Sequence, residues 1–253
     1  MEKTASGVQS LDRALNLLEL LADAGGSMRL AELEAATGLP LPTIHRLIKS
    51  LVHNGYVRQE PSKRYVLGPR LIRLGETASR ALGSFARQHL IDLAARIGET
   101  ANMAVLEGDA VVYVAHVPSE HSMRMFTEVG HRVHPHCTGV GKAVLAQMRD
   151  AEVLDLLRRT GMPAKTPRTH TDPHALLSEL NEIREQGWAV DDAEQEIGVR
   201  CIAVPLTGAP TLAAISVSGP SGRITMGRIT EIAPIVQEAA ARLVDDLHGD
   251  LRR

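Results

Sequence analysis

The chain has 253 residues, with 28 Lys and Arg against 30 Asp and Glu and a formal net charge of −2 at pH 7, long enough for two modest cores. Aromatic residues make up only 2%, which argues against the stacking platforms that hold single-stranded bases and leaves duplex DNA as the better nucleic-acid partner. Two cysteines without CxxC spacing, Cys137 and Cys201, argue against a disulfide scaffold or a zinc ribbon, and no apolar run approaches the ~18 residues of a membrane span.

In chain order, residues 1–7 read as a disordered arm with no export leader, which fits a cytoplasmic protein with reduced thiols. A first helix is predicted from Val8 to Ala22, with Leu11, Leu15, Leu18 and Leu21 on one stripe, ended by Ala24-Gly25-Gly26-Ser27. From Leu30 to Leu51 the sequence reads as two short helices joined by a tight turn. Gly38 suits a left-handed helix exit, and Pro40 and Pro42 bar the first helix from continuing. On the second helix Ile44, Leu47, Ile48 and Leu51 share one face, while Thr43, His45, Arg46 and Lys49 fall elsewhere on the cylinder. That is a helix-turn-helix pattern, although an αα-hairpin in an ordinary core shares the same period.

Tyr56 to Glu60, the turn Pro61-Ser62-Lys63-Arg64, and Tyr65 to Gly68 then read as a two-stranded wing with a basic tip. Between Pro42 and Gly75 the basic residues Arg46, Lys49, Arg58, Lys63, Arg64, Arg70 and Arg73 face Glu60 as the sole acid. Such a local excess is the footprint of a phosphate-binding surface. Pro69 to Leu82 is a further helix with Leu71, Leu74, Ala78 and Leu82 apolar, and Gly83-Ser84 is the expected break between domains.

Beyond it a helix over Phe85–Ile97 precedes a hairpin of Thr100–Leu106 and Ala110–Val117 around Glu107-Gly108-Asp109. A third extended run is predicted from Met123 to Val129, then helices over Lys142–Gln147, Ala151–Arg159 and Pro173–Gln186. Strands follow at Trp188–Asp191, Arg200–Leu206 and Thr211–Ser218, and a long helix over Arg228–Leu251 closes the chain. Hairpin strands with helices grouped between them predict an α+β domain with an antiparallel sheet.

Thr138-Gly139-Val140-Gly141-Lys142 invites a nucleotide reading that fails on spacing, since a P-loop needs Gly where His136 stands and Ser or Thr at Ala143. A glycine loop opening a helix can still offer N–H groups to a small carboxylate. His131, His134, His136 and Cys137 form a ligand-rich run, with His121 and Cys201 as further candidates, but the spacings match no zinc finger, so no metal and no cofactor are expected. Ser216 and Ser218 share one strand face, where they bond either to neighbouring backbone or to a ligand.

VQSLDRALNLLELL, GLPLPTIHRLIKSL, HCTGVGKAVLA, GWAVDDAEQEIGVRCIAVPL and AAISVSGPSGRIT, in that order, resemble the IclR family of bacterial transcriptional regulators. The resemblance implies an N-terminal winged helix-turn-helix domain (1–68), a linker helix (69–83) and a C-terminal effector-binding and oligomerisation domain (84–253), its antiparallel sheet flanked by helices. It implies a non-enzymatic repressor that binds double-stranded operator DNA as a dimer or dimer of dimers. Thr43, His45, Arg46 and Lys49 are expected in the major groove, with Lys63 and Arg64 on backbone or minor groove. Family effector contacts fall on Gly139, Val140, Asp191, Val199, Cys201, Ser216 and Ser218, with Met123 and Met125 as an apolar wall. The pattern looks closest to members that sense glyoxylate or related allantoin-pathway metabolites. Pro42 stands where many members place a capping Ser. The rival is a small-molecule enzyme using Cys137 and His136.

Overall fold

The computed structural model describes residues 8–82, 85–124 and 128–250, with backbone alone at 79–82, 249 and 250. The predicted arm, the Gly83-Ser84 break and Met125 lie outside the described residues. The chain forms two compact units, Met1–Ala78 and Ser79–Arg253.

In the first unit α1 (Gln9–Asp23), α2 (Leu30–Thr37) and α3 (Leu41–His53) enclose a small core of Leu17, Leu21, Leu33, Ile44, Leu47 and Ile48. The predicted stripe on α1 is half right: Leu21 is buried and Leu18 half-buried, but Leu11 and Leu15 are 56% and 51% exposed. The helix carries two apolar edges, and α2 and α3 together cover only the one built on Leu17 and Leu21. Gly38 closes α2 at φ 64, its N–H donating to the Glu34 carbonyl, and that left-handed residue turns the chain into α3.

The wing is β2 (Val57–Gln59) paired antiparallel with β3 (Tyr65–Leu67). Its other edge takes β1 (Ser27–Met28), a short strand hidden in what the sequence marks as a helix-ending turn. From the wing the chain enters α4 (Arg70–Leu82), on which Ile72, Leu74 and Ala78 are exposed and Leu71 half-buried. The division between the units falls inside α4.

The second unit is built on a six-stranded antiparallel sheet in the order β6-β5-β4-β9-β8-β7. Its strands are β4 (Thr100–Glu107), β5 (Ala110–Val117), β6 (Arg132–Val133), β7 (Ala189–Asp192), β8 (Val199–Pro205) and β9 (Ala213–Pro220). Alternate residues such as Ala101, Met103, Ile215, Val217 and Ile202 pack with α5 (Ala86–Ile97) and α9 (Met226–Asp250) in an apolar core. The opposite face packs Ala104, Ala203 and Ala214 with α6 (Gly139–Leu145), α7 (Asp150–Thr160) and α8 (Pro173–Gln186).

Two predicted elements are corrected. The described part of the Met123–Val129 run is not a strand, and the edge strand is Arg132–Val133. Helix α6 begins at Gly139 rather than Lys142, because Thr138 caps it by accepting from the Gly141 N–H at 3.1 Å. No helix among the described residues is long and apolar enough to cross a membrane.

Candidate functional site

Helix α3 turns Ile44, Leu47 and Ile48 into the core, and the 3.6-residue period leaves His45, Arg46 and Lys49 exposed and Thr43 half-buried. Its N-cap position is Pro40, which carries no side-chain cap, and Pro42 stands inside the first turn rather than at the cap. At the wing tip Lys63 is exposed, with φ 61. Arg64, predicted beside it as a DNA contact, is turned inward. Its Nε donates to Ser27 Oγ at 2.7 Å, its Nη2 to the Ser27 carbonyl at 2.8 Å, and its guanidinium pairs with Glu32 at 3.2 Å. The arginine ties the wing to β1 and α2, so its donors are spent inside the unit.

In the second unit strand register assembles two polar rows on one face of the sheet. Asp191, Cys201, Ser218 and Thr100 are successive cross-strand partners from β7 to β4. Beside them run Ala189, Ala203, Ser216, Asn102 and His116, from β7 to β5. Paired residues point to the same side, so hydroxyl, thiol, amide, imidazole and carboxyl groups share one surface. Asn102 and Ser216 are fully buried and Ser218 is 4% exposed. Ser216 Oγ has no hydrogen-bond partner; the Cys201 sulfur that faces both serines is too weak an acceptor to replace one. Asn102 lies between His116 Nδ1, 3.1 Å from its Oδ1, and Ser218 Oγ, 3.4 Å from its Nδ2.

Gly139 at the start of α6 lies against these rows. A Cβ there would sit 2.8 Å from Cys201 Sγ, so only glycine lets the backbone come this close to the sheet. Helix geometry leaves the N–H groups of Gly139 and Val140 without partners inside α6, although the Val140 side chain itself is buried in the core. Tyr113 completes the wall: burial, with Cys201, Asp191 and Cys137 as neighbours, pushes its phenol upward. Val199 is half-buried on the same strand face as Cys201, at the sheet's end. Met123, predicted as an apolar wall, is 71% exposed, its carbonyl accepting from Arg223 Nη2 at 2.9 Å.

Asp191 Oδ1 accepts the Glu194 N–H at 2.7 Å and the Gln195 N–H at 3.4 Å, shaping the turn after β7. Burial, aided by the Glu194 charge, raises its carboxyl to about 7 against the backbone bond from Glu194. Beneath it Lys142, with no exposed surface, places Nζ 2.5 Å from both Glu179 Oε1 and Glu194 Oε1. The lysine that suggested a phosphate cradle is thus the counter-charge of two carboxylates. His170, Glu179 and Glu194 are the group among the described residues with metal-ligand spacing, and the Lys142 ammonium already supplies positive charge there.

The histidine run is dispersed. His136 Nε2 meets the Pro163 carbonyl at 3.2 Å, His134 packs edge-on against it, and Cys137 Sγ lies 3.1 Å from Gln195 Oε1. Burial and the Asp191 and Glu194 charges raise Cys137 to about 12, the opposite of a nucleophile's requirement. A separate cleft of about 320 Å³, lined by Asp109, Ala110, Arg132, Val133, His134 and Thr160, touches none of the predicted effector residues.

Asn102, His116, Tyr113 and the Lys142 partners were not singled out by sequence reasoning. Asn102 left a usable signal: it shares strand parity with Thr100 inside an apolar run, where asparagine is disfavoured. The Lys142 pairs join residues 37 and 52 positions apart, and nothing local announces them.

Residues 10–61 match the IclR helix-turn-helix domain, and residues 76–245 match the domain described as bacterial transcriptional regulator IclR C-terminal. The chain is 38% identical over 240 residues to the transcriptional repressor IclR of Escherichia coli, covering 92% of this chain and 88% of that one. It is 36% identical to the acetate operon repressor of Salmonella typhimurium over 240 residues, with the same 92% and 88% coverage. Among solved structures, that of Thermotoga maritima IclR superposes with a TM-score of 0.74 at 30% identity, covering 95% of this chain and 99% of that one. These relatives are regulators, and with Cys137 held as a thiol the enzyme alternative falls.

Proposed function

The chain belongs to the IclR family of bacterial transcriptional regulators, and from that premise we propose that it is a repressor whose grip on operator DNA is set by a small carboxylate metabolite such as glyoxylate or an allantoin-pathway compound. Named repressors among its relatives support the sign of regulation. Thr43, His45, Arg46 and Lys49 enter the major groove and Lys63 touches the backbone, with Arg64 keeping the wing in shape. The protein works in the cytoplasm as a dimer or dimer of dimers.

One observation carries the sensor half: the Ser216 hydroxyl is fully buried and unpartnered. Such a group costs about 1–3 kcal/mol, which a ligand oxygen would recover. Ser218, Cys201, Asp191 and Val199 lie on the same sheet face, and Gly139 at the start of α6 packs against Cys201. The effector acts by binding one domain arrangement better than the other, because equal affinity for both shifts nothing.

Calorimetric titration of the full-length protein with glyoxylate tests the assignment. Saturable heat in the wild type should fall at least tenfold in affinity when Ser216→Ala and Ser218→Ala are combined, while operator binding without effector is retained. Undiminished heat in the double variant rejects the site.

A further inference from the structure

We propose that Asn102, braced by His116, sets ligand selectivity by turning the Ser218 hydroxyl into a hydrogen-bond donor, so that the polar face takes a carboxylate in preference to its neutral amide. The inference rests on the sensor reading above and adds two residues that act through a third. Asn102 is fully buried at the centre of the rows, opposite Ser216 on β9 and opposite His116 on β5. Its amide has an acceptor end and a donor end. The Oδ1 end lies 3.1 Å from His116 Nδ1, and the Nδ2 end 3.4 Å from Ser218 Oγ.

These contacts leave two consistent arrangements of protons. With a proton on Nδ1, His116 donates to Oδ1, the Asn102 NH₂ group donates to Ser218, and the Ser218 O–H is free to donate to a ligand. With the proton on Nε2 the amide turns over, Ser218 donates to it, and the hydroxyl can only accept from a ligand. The first arrangement accounts better for the site. Ser216, opposite Asn102 on β9, already offers a hydroxyl without a hydrogen-bond partner. Two hydroxyl donors then stand together on one sheet face, and a carboxylate, an acceptor only, satisfies both. An amide ligand would set its own NH₂ against at least one of them, leaving buried donors unpaired, which is the strongest source of discrimination between isosteres. Burial and the neighbouring Arg124 charge hold His116 below its ordinary range, so the ring is neutral near pH 7 and its tautomer, not its charge, orients the amide.

The test titrates full-length protein with glyoxylate and with glyoxylamide, and records the ¹⁵N spectrum of the histidine rings, assigning His116 by its loss in His116→Gln. The wild type should prefer glyoxylate at least tenfold and show His116 protonated at Nδ1. Asn102→Asp, which keeps the shape but removes the donor, should erase that preference. After Ser218→Ala, adding Asn102→Ala should change glyoxylate affinity less than twofold, since the two act through one hydroxyl. A preference that survives Asn102→Asp, independent losses in the Asn102 and Ser218 variants, or a ring protonated at Nε2 overturns the proposal. If the wild type binds neither probe, the small oxo-acid reading fails on its own, and the ring tautomer measured without ligand still supports or overturns the orientation of Ser218.

Discussion

On α3 the polar side chains stand outside a small apolar core, whereas on the sheet of the larger unit they are drawn beneath helices and lose most of their solvent. His45, Arg46 and Lys49 are exposed cations and polar groups on a rigid helix, a surface suited to an extended polyanion whose own groove brings the desolvation. Asn102, Ser216, Ser218 and Asp191 are buried, where each hydrogen bond is stronger and each missing one more costly. Substitutions in the first region should therefore change contacts with DNA and little else, while those in the second should change folding, ligand choice and pH response together.

The largest effect is expected where burial is deepest. Lys142→Met leaves Glu179 and Glu194 facing one another without their cation, and breaking a buried pair of this kind costs about 3–5 kcal/mol. Urea denaturation followed by circular dichroism should show the unfolding free energy of the second unit falling by that much. Adding Glu194→Gln to Lys142→Met should recover part of it. A loss below about 1 kcal/mol would mean that the cluster is solvated, and that the two regions differ less than their burial indicates.

Next comes Arg46→Ala. A side chain reading a base edge is worth about 1–3 kcal/mol of operator affinity, and its removal should relax discrimination at one base position while leaving glyoxylate affinity and the unfolding midpoint untouched. Fluorescence anisotropy at fixed salt on operator and scrambled duplexes measures both. Equal weakening on the two duplexes would make Arg46 a phosphate contact.

Acid–base behaviour sharpens the contrast. The Asp191 carboxyl sits at about 7 in the folded chain, above the 3.8 of an ordinary aspartate, so between those values the folded state holds the proton and this group's contribution to stability declines as pH rises. An anion bound beside it raises the carboxyl further, and binding takes up a proton. Glyoxylate affinity should accordingly fall between pH 6 and pH 8, approaching tenfold per unit at the upper end, and Asp191→Asn should flatten the profile. Calorimetry in buffers of different ionisation heat would report the proton directly. Uptake near zero would remove Asp191 from the ligand's immediate surroundings.

How far the sequence could anticipate this follows from the range of the interactions. The α3 face, the wing and the α5-to-β5 stretch obey local periods, and their boundaries fall within a residue or two of the expected ones. Helix α6 starts three residues before the predicted Lys142, because a Thr cap and a glycine-rich first turn look like a loop. The parity of Ser216 and Ser218 was legible, but their neighbours Asn102 and His116 arrive only through strand pairing. The spacing around Lys142 excludes a P-loop but says nothing of its role, because only the fold brings Glu194 to it. Short-range physics thus discloses the elements, while long-range register assembles the chemistry.

The smallest predicted effect separates two adjacent residues of the wing. Lys63 is exposed at the tip and Arg64 is spent on Ser27 and Glu32, so alanine at each should leave a different signature. Lys63→Ala should lower the slope of log affinity against log salt by about 1, uniformly across DNA sequences, with the unfolding midpoint unchanged. Arg64→Ala should leave that slope near its original value and instead loosen the link between β3, β1 and α2, which increases amide hydrogen exchange at Ser27, Met28 and Val66. The two outcomes exclude each other at each position. If Arg64→Ala reduces the salt slope without affecting exchange, its guanidinium leaves Ser27 to meet phosphate when DNA arrives, and the wing would be partly reorganised by its partner rather than preformed.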